Sequence, residues 1–161
     1  MYVFEVLSDC HLTGEQLTAY KDSFMTIFSK SLTDRELTVR VAALKATTSF
    51  LTSLDDSDMV LSYMGIVPQL LNTVVEALKE NEEQGRQALE SMNELTNVHP
   101  EIWKNSTNQL INVISQVMTQ THFENGTRAS AAEVVLALSA NIPASLRKAD
   151  ETKTMFLTGL I

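Results

Sequence analysis

The chain contains few of the residues that break helices, cross-link chains or anchor proteins in membranes. Its 161 residues include only five glycines and three prolines, below the average usage of about 7% and 5%, which disfavours a turn-rich β-sandwich or barrel. Cys10 is the single cysteine, so an internal disulfide and a multi-thiolate zinc site are excluded and a cytosolic or nuclear compartment is favoured. No apolar run approaches the length of a membrane span, and Glu5 interrupts any signal peptide.

Positive charge is also scarce, because twelve lysines and arginines face twenty aspartates and glutamates and leave a net charge of -8. Such a surface repels the phosphates of nucleic acids and favours basic protein partners. Apolar residues make up 44% of the chain, which is enough for one folded unit of this length. The composition therefore predicts a single folded segment that binds neither nucleic acid nor membrane.

Residues that carry catalysis or bind metals are not clustered in the sequence. His11, His99 and His122 are far apart and lack a second ligand at metal-binding spacing, and neither a G-x-S-x-G motif nor a phosphate-binding loop occurs. We therefore predict that the chain is not an enzyme and has no catalytic residue, metal or cofactor.

Apolar residues recur with the 3.6-residue period of amphipathic helices. The stripes predict helices around residues 17–28, 37–51, 61–78, 88–95, 110–118 and 132–138, with a seventh helix beginning near 152. Asp58 or Ser57 is expected to cap the third helix. Turns are predicted at Thr33-Asp34, at Asn81-Glu82 and at Asn125-Gly126.

The helix ends repeat along the chain. Leu51-Thr52-Ser53-Leu54 matches Leu95-Thr96-Asn97-Val98 after 44 residues, and Leu95 with Pro100 matches Leu138 with Pro143 after 43. This period lies in the range of about 40 to 47 residues that is typical of HEAT and armadillo repeats. The sequence thus predicts an all-α, right-handed α-solenoid of about three and a half hairpins, with repeats near 13–54, 58–98 and 100–141 and a partial repeat at 150–161.

Both ends of the chain are apolar. Tyr2, Phe4, Val6 and Leu7 resemble the end of a helix without its partner, and Met155, Phe156, Leu160 and Ile161 resemble the start of one. The terminal repeats of a complete solenoid carry a polar outer face. We therefore expect residues 1–161 to be one segment of a longer solenoid, and we expect the isolated segment to self-associate.

Several stretches carry a resemblance to a known family. They are RVAALKA at 40–46, PQLL at 68–71, ALESMNE at 88–94 followed by Pro100, RASAAEVV at 128–135, and LRK at 146–148. In this order they resemble the N-terminal half of nuclear import receptors of the importin-beta family, in the karyopherin beta-3 (importin-5 type) branch. The resemblance implies paired A and B helices, with the B helices lining a concave surface.

The resemblance also implies partners. Members of this family carry basic cargo proteins, bind the GTPase Ran in its GTP form, contact Phe-Gly nucleoporins between A helices, and shuttle between cytoplasm and nucleus. The alternative is a HEAT-repeat scaffold subunit of a multiprotein complex, which needs no Ran.

The candidate binding surface lies on the fourth and sixth predicted helices. Polar residues opposite the apolar stripe occur at helical spacing and have one counterpart a repeat later; they are Glu90, Asn93, Glu94, Asn97 and Glu133. One interpretation is an ordinary solvated helix face. The other, which the resemblance favours, is an acidic and amide surface that binds a basic, extended segment.

A second group of residues matches a ladder of charged contacts between repeats. Asp34 at a turn and Arg40 six residues later resemble the HEAT signature, in which such a pair links neighbouring repeats. Arg128 has no aspartate at the same spacing, and the second hairpin has Gln84 or Gly85 in place of the arginine. Trp103 is expected to pack against the preceding hairpin, or alternatively to contact a Phe-Gly partner.

Overall fold

The computed structural model describes residues 14–143, and every regular element in this range is helical. Two short 3-10 turns, Met64–Ile66 and Pro100–Trp103, occur between the α-helices. The α-helices are α1 (Gly14–Leu32), α2 (Leu37–Thr52), α3 (Ser57–Leu61), α4 (Val67–Glu80), α5 (Glu82–Val98), α6 (Thr107–Thr119) and α7 (Asn125–Asn141).

The helices pack as three pairs, α1 with α2, α4 with α5, and α6 with α7. We call the first helix of each pair its A helix and the second its B helix. The central B helix, α5, packs along both other B helices, whereas successive A helices contact each other through few residues. One continuous apolar core runs through all three pairs, because each helix buries most of its apolar stripe. Tyr20, Ile27 and Leu136, which belong to the predicted stripes, are instead exposed.

The third predicted helix is interrupted rather than continuous. Asp56 caps the short helix α3 by accepting a hydrogen bond from the backbone N–H of Asp58 at 3.0 Å, so the prediction that Asp58 or Ser57 is the cap is wrong. Pro68 lies in the first turn of α4. Because proline lacks an N–H and its ring clashes with the preceding turn, it fits the start of a helix and not its interior.

The turns follow the predictions in two of three places. Residues 33–36 join α1 to α2, and Asn81 alone joins α4 to α5 and caps α5 through a bond from the N–H of Gln84 at 3.0 Å. The third prediction is wrong, because Asn125 and Gly126 form the first turn of α7. The actual connection is residues 120–124, within which Phe123 is buried.

The helices of the second pair cross at very short range. A Cβ atom added to Gly85 of α5 would lie 2.6 Å from Cδ2 and 2.8 Å from Cα of Leu78 in α4. Both distances are shorter than carbon atoms tolerate. Glycine at this position therefore sets the separation of α4 and α5.

Several expectations concern residues outside the described range. They include the apolar groups at both ends, Cys10, His11, Arg147 and Lys148, and the partial repeat at 150–161. Among the described helices, none is long and apolar enough to cross a membrane.

Candidate partner-binding face and repeat junctions

The exposed side of the B helices carries the residues that the sequence proposed for binding. Glu90, Glu94 and Asn97 of α5 and Glu133 of α7 are exposed, and Asn93 is partly buried between the two helices. Nδ2 of Asn93 lies 3.5 Å from Oε2 of Glu133, across 40 residues of sequence. We call this exposed side of α2, α5 and α7 the B-helix face.

In the N-terminal half of α5, one arginine pairs with two of the three carboxylates. Arg86 donates to Glu83 through Nε at 3.2 Å and through Nη2 at 2.7 and 2.9 Å, and it donates to Oε1 of Glu90 through Nη1 at 2.6 Å. The hydrogen bond from Arg86 lowers the pKa of Glu83, and the same bond raises the pKa of Arg86. Glu90 is thus already paired with a cation of its own helix.

The C-terminal half of α5 and the facing part of α7 are different. Asn97 donates through Nδ2 to the backbone carbonyl of Asn93 at 3.0 Å and to its side-chain oxygen at 3.1 Å, which fixes the two amides. No lysine or arginine within residues 19–143 forms an ion pair with Glu94 or Glu133. Leu136, one turn after Glu133, leaves 66% of its surface exposed. This region combines two unneutralised carboxylates, two amides and an exposed apolar side chain.

Arg40 links the first two helical pairs. Its Nη1 donates to the backbone carbonyl of Asp34 at 2.8 Å, and its Nε and Nη2 lie 3.2 and 3.7 Å from the carboxylates of Glu76 and Glu80 in α4. The Arg40 side chain is only 11% exposed. The carboxylate of Asp34 instead accepts from the N–H of Glu36 at 2.9 Å. The observed contact between repeats therefore uses Glu76 and Glu80, which the sequence analysis did not single out.

The positions equivalent to Arg40 in the next two pairs differ from it. Gln84 and Arg128 follow at intervals of 44 residues. Oε1 of Gln84 and Nε of Arg128 are buried without a hydrogen-bond partner among the described residues. Nε of Arg40 also lacks a well-aligned hydrogen bond, but it lies 3.2 Å from the carboxylate of Glu76 and so has an ionic partner. The charged contact seen at Arg40 is thus not repeated within residues 14–143.

Further polar contacts between pairs occur at separations of about one repeat. Gln69 donates to Ser29 Oγ at 2.7 Å, and Lys45 donates to Gln87 Oε1 at 2.7 Å. The backbone N–H of Glu124 donates to Oε1 of Glu82, also at 2.7 Å. The sequence analysis missed these residues, although polar side chains 40 to 42 positions apart were a usable signal.

His99 is a buried link between the first two helical pairs. Nε2 lies 2.9 Å from the carbonyl oxygen of Leu54, and Nδ1 lies 3.2 Å from Oε1 of Glu101. Burial raises the pKa of Glu101, but hydrogen bonds from its own backbone, from Ser57 and from His99 outweigh burial, so this pKa lies below its ordinary value. Within the described range, no three His, Cys, Asp or Glu side chains are arranged to hold a metal ion.

Trp103 lies in the 3-10 turn before α6 and is fully buried. Its packing role is therefore the one that the geometry supports. An open groove of about 530 Å³ lies between the A helices α1 and α4, where Met25, Ser29, Lys30 and Gln69 contribute to its lining.

The sequence of the chain is similar to that of known proteins. Residues 1–113 match the family model described as IPO5-like, TPR repeats. The period of 43 or 44 residues is nonetheless longer than the 34 residues of a tetratricopeptide repeat. Importin subunit beta-3 of Saccharomyces cerevisiae is 28% identical over 124 residues, which are 76% of this chain and 11% of that protein.

Two solved structures have the same fold. The karyopherin Kap121p bound to the SUMO protease Ulp1p superposes with a TM-score of 0.80 at 23% identity, over 97% of this chain and 15% of that one. A Kap121p variant with seven substitutions gives 0.76 at 20% identity, over 98% and 17%. This likeness confirms the predicted all-α HEAT-repeat solenoid, and the chain spans a small part of the length of these relatives.

Proposed function

Because this chain belongs to the IPO5-like family of importin-beta karyopherins, we propose that it is part of a nuclear transport receptor and binds basic segments of cargo proteins on its B-helix face. The observation that carries the proposal is the pair of unneutralised carboxylates, Glu94 and Glu133, on neighbouring B helices beside the amides of Asn93 and Asn97. Carboxylates bind lysine and arginine, and amides bind the backbone of an extended chain. The surface acts by binding and not by catalysis.

The spacing of the substituted residues in the Kap121p variant supports this assignment. That variant replaces an arginine and the glutamine after it, an aspartate four positions after the arginine, and a glutamate 43 positions after the aspartate. Arg86, Gln87, Glu90 and Glu133 have the same spacing in this chain. The Kap121p structure with Ulp1p also shows that a relative binds another protein.

The packing of the helices supports a concave B-helix face. α5 packs closely against both neighbouring B helices, while the A helices contact each other less, which is the packing expected of a stack that is concave on its B-helix side. A concave acidic surface focuses its electric field and attracts basic partners. An extended basic segment could then contact several repeats at once.

The test compares a variant in which two negative charges of the B-helix face are reversed with a control in which two negative charges outside this face are reversed. In the chain of 161 residues, Glu94→Lys with Glu133→Lys is compared with Asp55→Lys and Asp58→Lys, which change the net charge equally but lie in an exposed loop and a short helix. Asp56 is left intact because it is a helix cap. Binding of a fluorescent lysine-rich peptide is measured at about 0.15 M salt, where screening beyond roughly 8 Å suppresses long-range charge effects.

We expect the face variant to lose affinity by about tenfold or more, which corresponds to about 1.4 kcal/mol, and the loop variant to lose less than about threefold. Equal losses in the two variants would mean that the face is an ordinary solvated helix surface. Circular dichroism checks that both variants keep their helical content.

Ran in its GTP form and Phe-Gly nucleoporins are the further partners that we propose, together with shuttling between cytoplasm and nucleus. Family membership supports them, and the groove between the A helices α1 and α4 is the candidate region for a nucleoporin repeat. A pull-down with the longer receptor and GTP-loaded or GDP-loaded Ran separates a transport receptor from a HEAT-repeat scaffold. Binding that does not depend on the nucleotide would favour the scaffold.

A further inference from the structure

Arg86 and Gln87 lie in the first half of α5, where their order and spacing match the arginine and glutamine that the Kap121p variant replaces. Hydrogen bonds join both side chains, through Glu83, to Lys45 of α2 in the preceding repeat. We propose that Lys45 is a positioning residue, which holds the Arg86 guanidinium in place on the B-helix face without itself contacting the partner. This inference rests on the proposed function of that face.

Lys45 determines the orientation of the Gln87 amide. Its Nζ donates to Oε1 of Gln87 at 2.7 Å, in a partly buried contact. A lysine can only donate, so it must meet the oxygen of the amide, and the amide nitrogen is thereby turned the other way. That nitrogen, Nε2 of Gln87, donates to Oε1 of Glu83 at 3.1 Å. Without Lys45, nothing on the α2 side selects this orientation over the one rotated by half a turn.

Glu83 transmits this orientation to Arg86. Its carboxylate accepts from Nε of Arg86 at 3.2 Å and from Nη2 at 2.7 and 2.9 Å, which is the forked arrangement that fixes the plane of a guanidinium. Hydrogen bonds from Arg86 and from Gln87 lower the pKa of Glu83, so the carboxylate is ionised at neutral pH and acts only as an acceptor. Nη1 of Arg86 donates to Glu90 at 2.6 Å. The guanidinium is therefore held from both sides.

A guanidinium held in this way still has a donor for a partner. Arginine carries five N–H groups, and Arg86 makes four hydrogen bonds, so at least one N–H has no acceptor among the described residues. The backbone carbonyls of an extended segment are suitable acceptors. Ordering a long side chain on binding costs free energy, and a side chain that is already ordered avoids this cost. Lys45 therefore favours binding through Arg86, although it adds a positive charge beside an acidic face.

The test compares Lys45→Met with Lys104→Met in the chain of 161 residues. Both remove one positive charge, but Lys104 is an exposed residue directly after the second 3-10 turn. Loss of a positive charge should by itself strengthen the binding of a lysine-rich peptide. With a fluorescent peptide that carries four lysines in a glycine-serine background, we expect Lys45→Met instead to weaken binding by about 2- to 5-fold, the factor that corresponds to one ordinary hydrogen bond. Lys104→Met should strengthen it by less than about 1.5-fold at about 0.15 M salt.

Two further measurements trace the effect to Arg86. In NMR spectra, the Nε–H of Arg86 should exchange with water faster in Lys45→Met than in the parent, whereas the Nε–H of Arg40, on the same helix as Lys45, should not change. In a chain that already carries Arg86→Gln, Lys45→Met should cause no further loss of affinity. Glu83 loses its arginine in that chain, but the charge that it then exposes attracts lysines and cannot imitate a loss.

The outcomes separate this proposal from the proposed function. If Lys45→Met leaves affinity unchanged or raises it while Glu94→Lys with Glu133→Lys weakens binding, Lys45 is not a positioning residue and the binding face stands. A loss in Lys45→Met that persists with Arg86→Gln would mean that Lys45 acts independently of Arg86, which overturns the positioning role. If neither Lys45→Met nor the face variant changes affinity, the face does not bind basic segments and both proposals are overturned.

Discussion

The two junctions between successive helical pairs are held together differently. At the first junction, four polar side chains reach across at short range: Arg40 to Glu76, Lys45 to Gln87, Gln69 to Ser29, and His99 to Leu54. At the second junction, Glu82 accepts one short bond from the backbone of Glu124, while Asn93 and Glu133 are 3.5 Å apart. The second junction depends mainly on the apolar packing of α5 against α7.

This contrast shows how one repeat serves both stability and binding. Polar groups that join repeats at the first junction are already hydrogen-bonded or ion-paired and are not free to bind a partner. At the second junction, the helices are held together by buried apolar surface, which contributes roughly 25 cal/mol of stabilising free energy per Å². Glu94 and Glu133 therefore stay available to a partner.

We expect the largest loss of stability from a substitution at the crossing of α4 and α5, because both junctions depend on this pair of helices. Gly85→Ala places a Cβ 2.6 Å from Leu78 and must push α4 and α5 apart, which we expect to lower the free energy of unfolding by about 3 kcal/mol. Urea denaturation followed by circular dichroism measures it. Ala129→Gly, at an exposed position within α7, is the control and should cost about 1 kcal/mol; a Gly85→Ala chain as stable as the parent would show that the crossing is not tight.

The second largest loss of stability is expected from a substitution that removes a polar contact at the first junction. His99→Ala leaves the buried carbonyl of Leu54 without its partner, and we expect a loss of about 2 kcal/mol in the free energy of unfolding. His122→Ala is the matched control, because His122 is exposed and its ring lies against that of Phe123. Similar unfolding midpoints for the two variants would contradict the role of His99.

A third pair of substitutions compares the junctions directly. Arg40→Met breaks the contacts with Glu76, Glu80 and the carbonyl of Asp34, and it should cost about 1 to 2 kcal/mol, because the acidic partners are partly exposed. Arg128→Met removes a buried Nε that has no described partner, and it should be neutral or slightly stabilising. Thermal unfolding of both variants measures the loss of stability in each. Equal losses would contradict the predicted difference between the two junctions.

The smallest effect is a pH dependence at Glu101. Its pKa in the folded chain lies below the ordinary value of 4.5, so its contribution to stability is present above that pH and is lost as the pH falls through the folded pKa. The difference in unfolding free energy between the parent and Glu101→Gln should be below about 1 kcal/mol at pH 7. It should shrink as urea titrations move below pH 4.5, and a difference that grows there would reverse the sign of the prediction.

Most of the helices, the repeat period and the family resemblance could be predicted from the amino-acid sequence alone. Apolar periodicity is a local property of the chain, so the stripes that became α1, α2 and α4 to α7 could be recognised without knowing their neighbours. The pairing of Arg86 with Glu90 was also available, since residues four apart on a helix are neighbours. The break before α4 could have been inferred from Pro68, whose effect is equally local.

Which polar groups meet across repeats depends on how the helices pack in three dimensions. Arg40 meets Glu76 and Glu80 instead of the carboxylate of Asp34, because the distance between stacked helices and their rotation depend on core packing. The same packing brings Asn93 to Glu133 and leaves Gln84 and Arg128 with buried polar atoms that lack described partners. A period of 43 or 44 residues fixes which helices are neighbours, but side-chain geometry within a few ångströms decides which of their polar atoms form bonds.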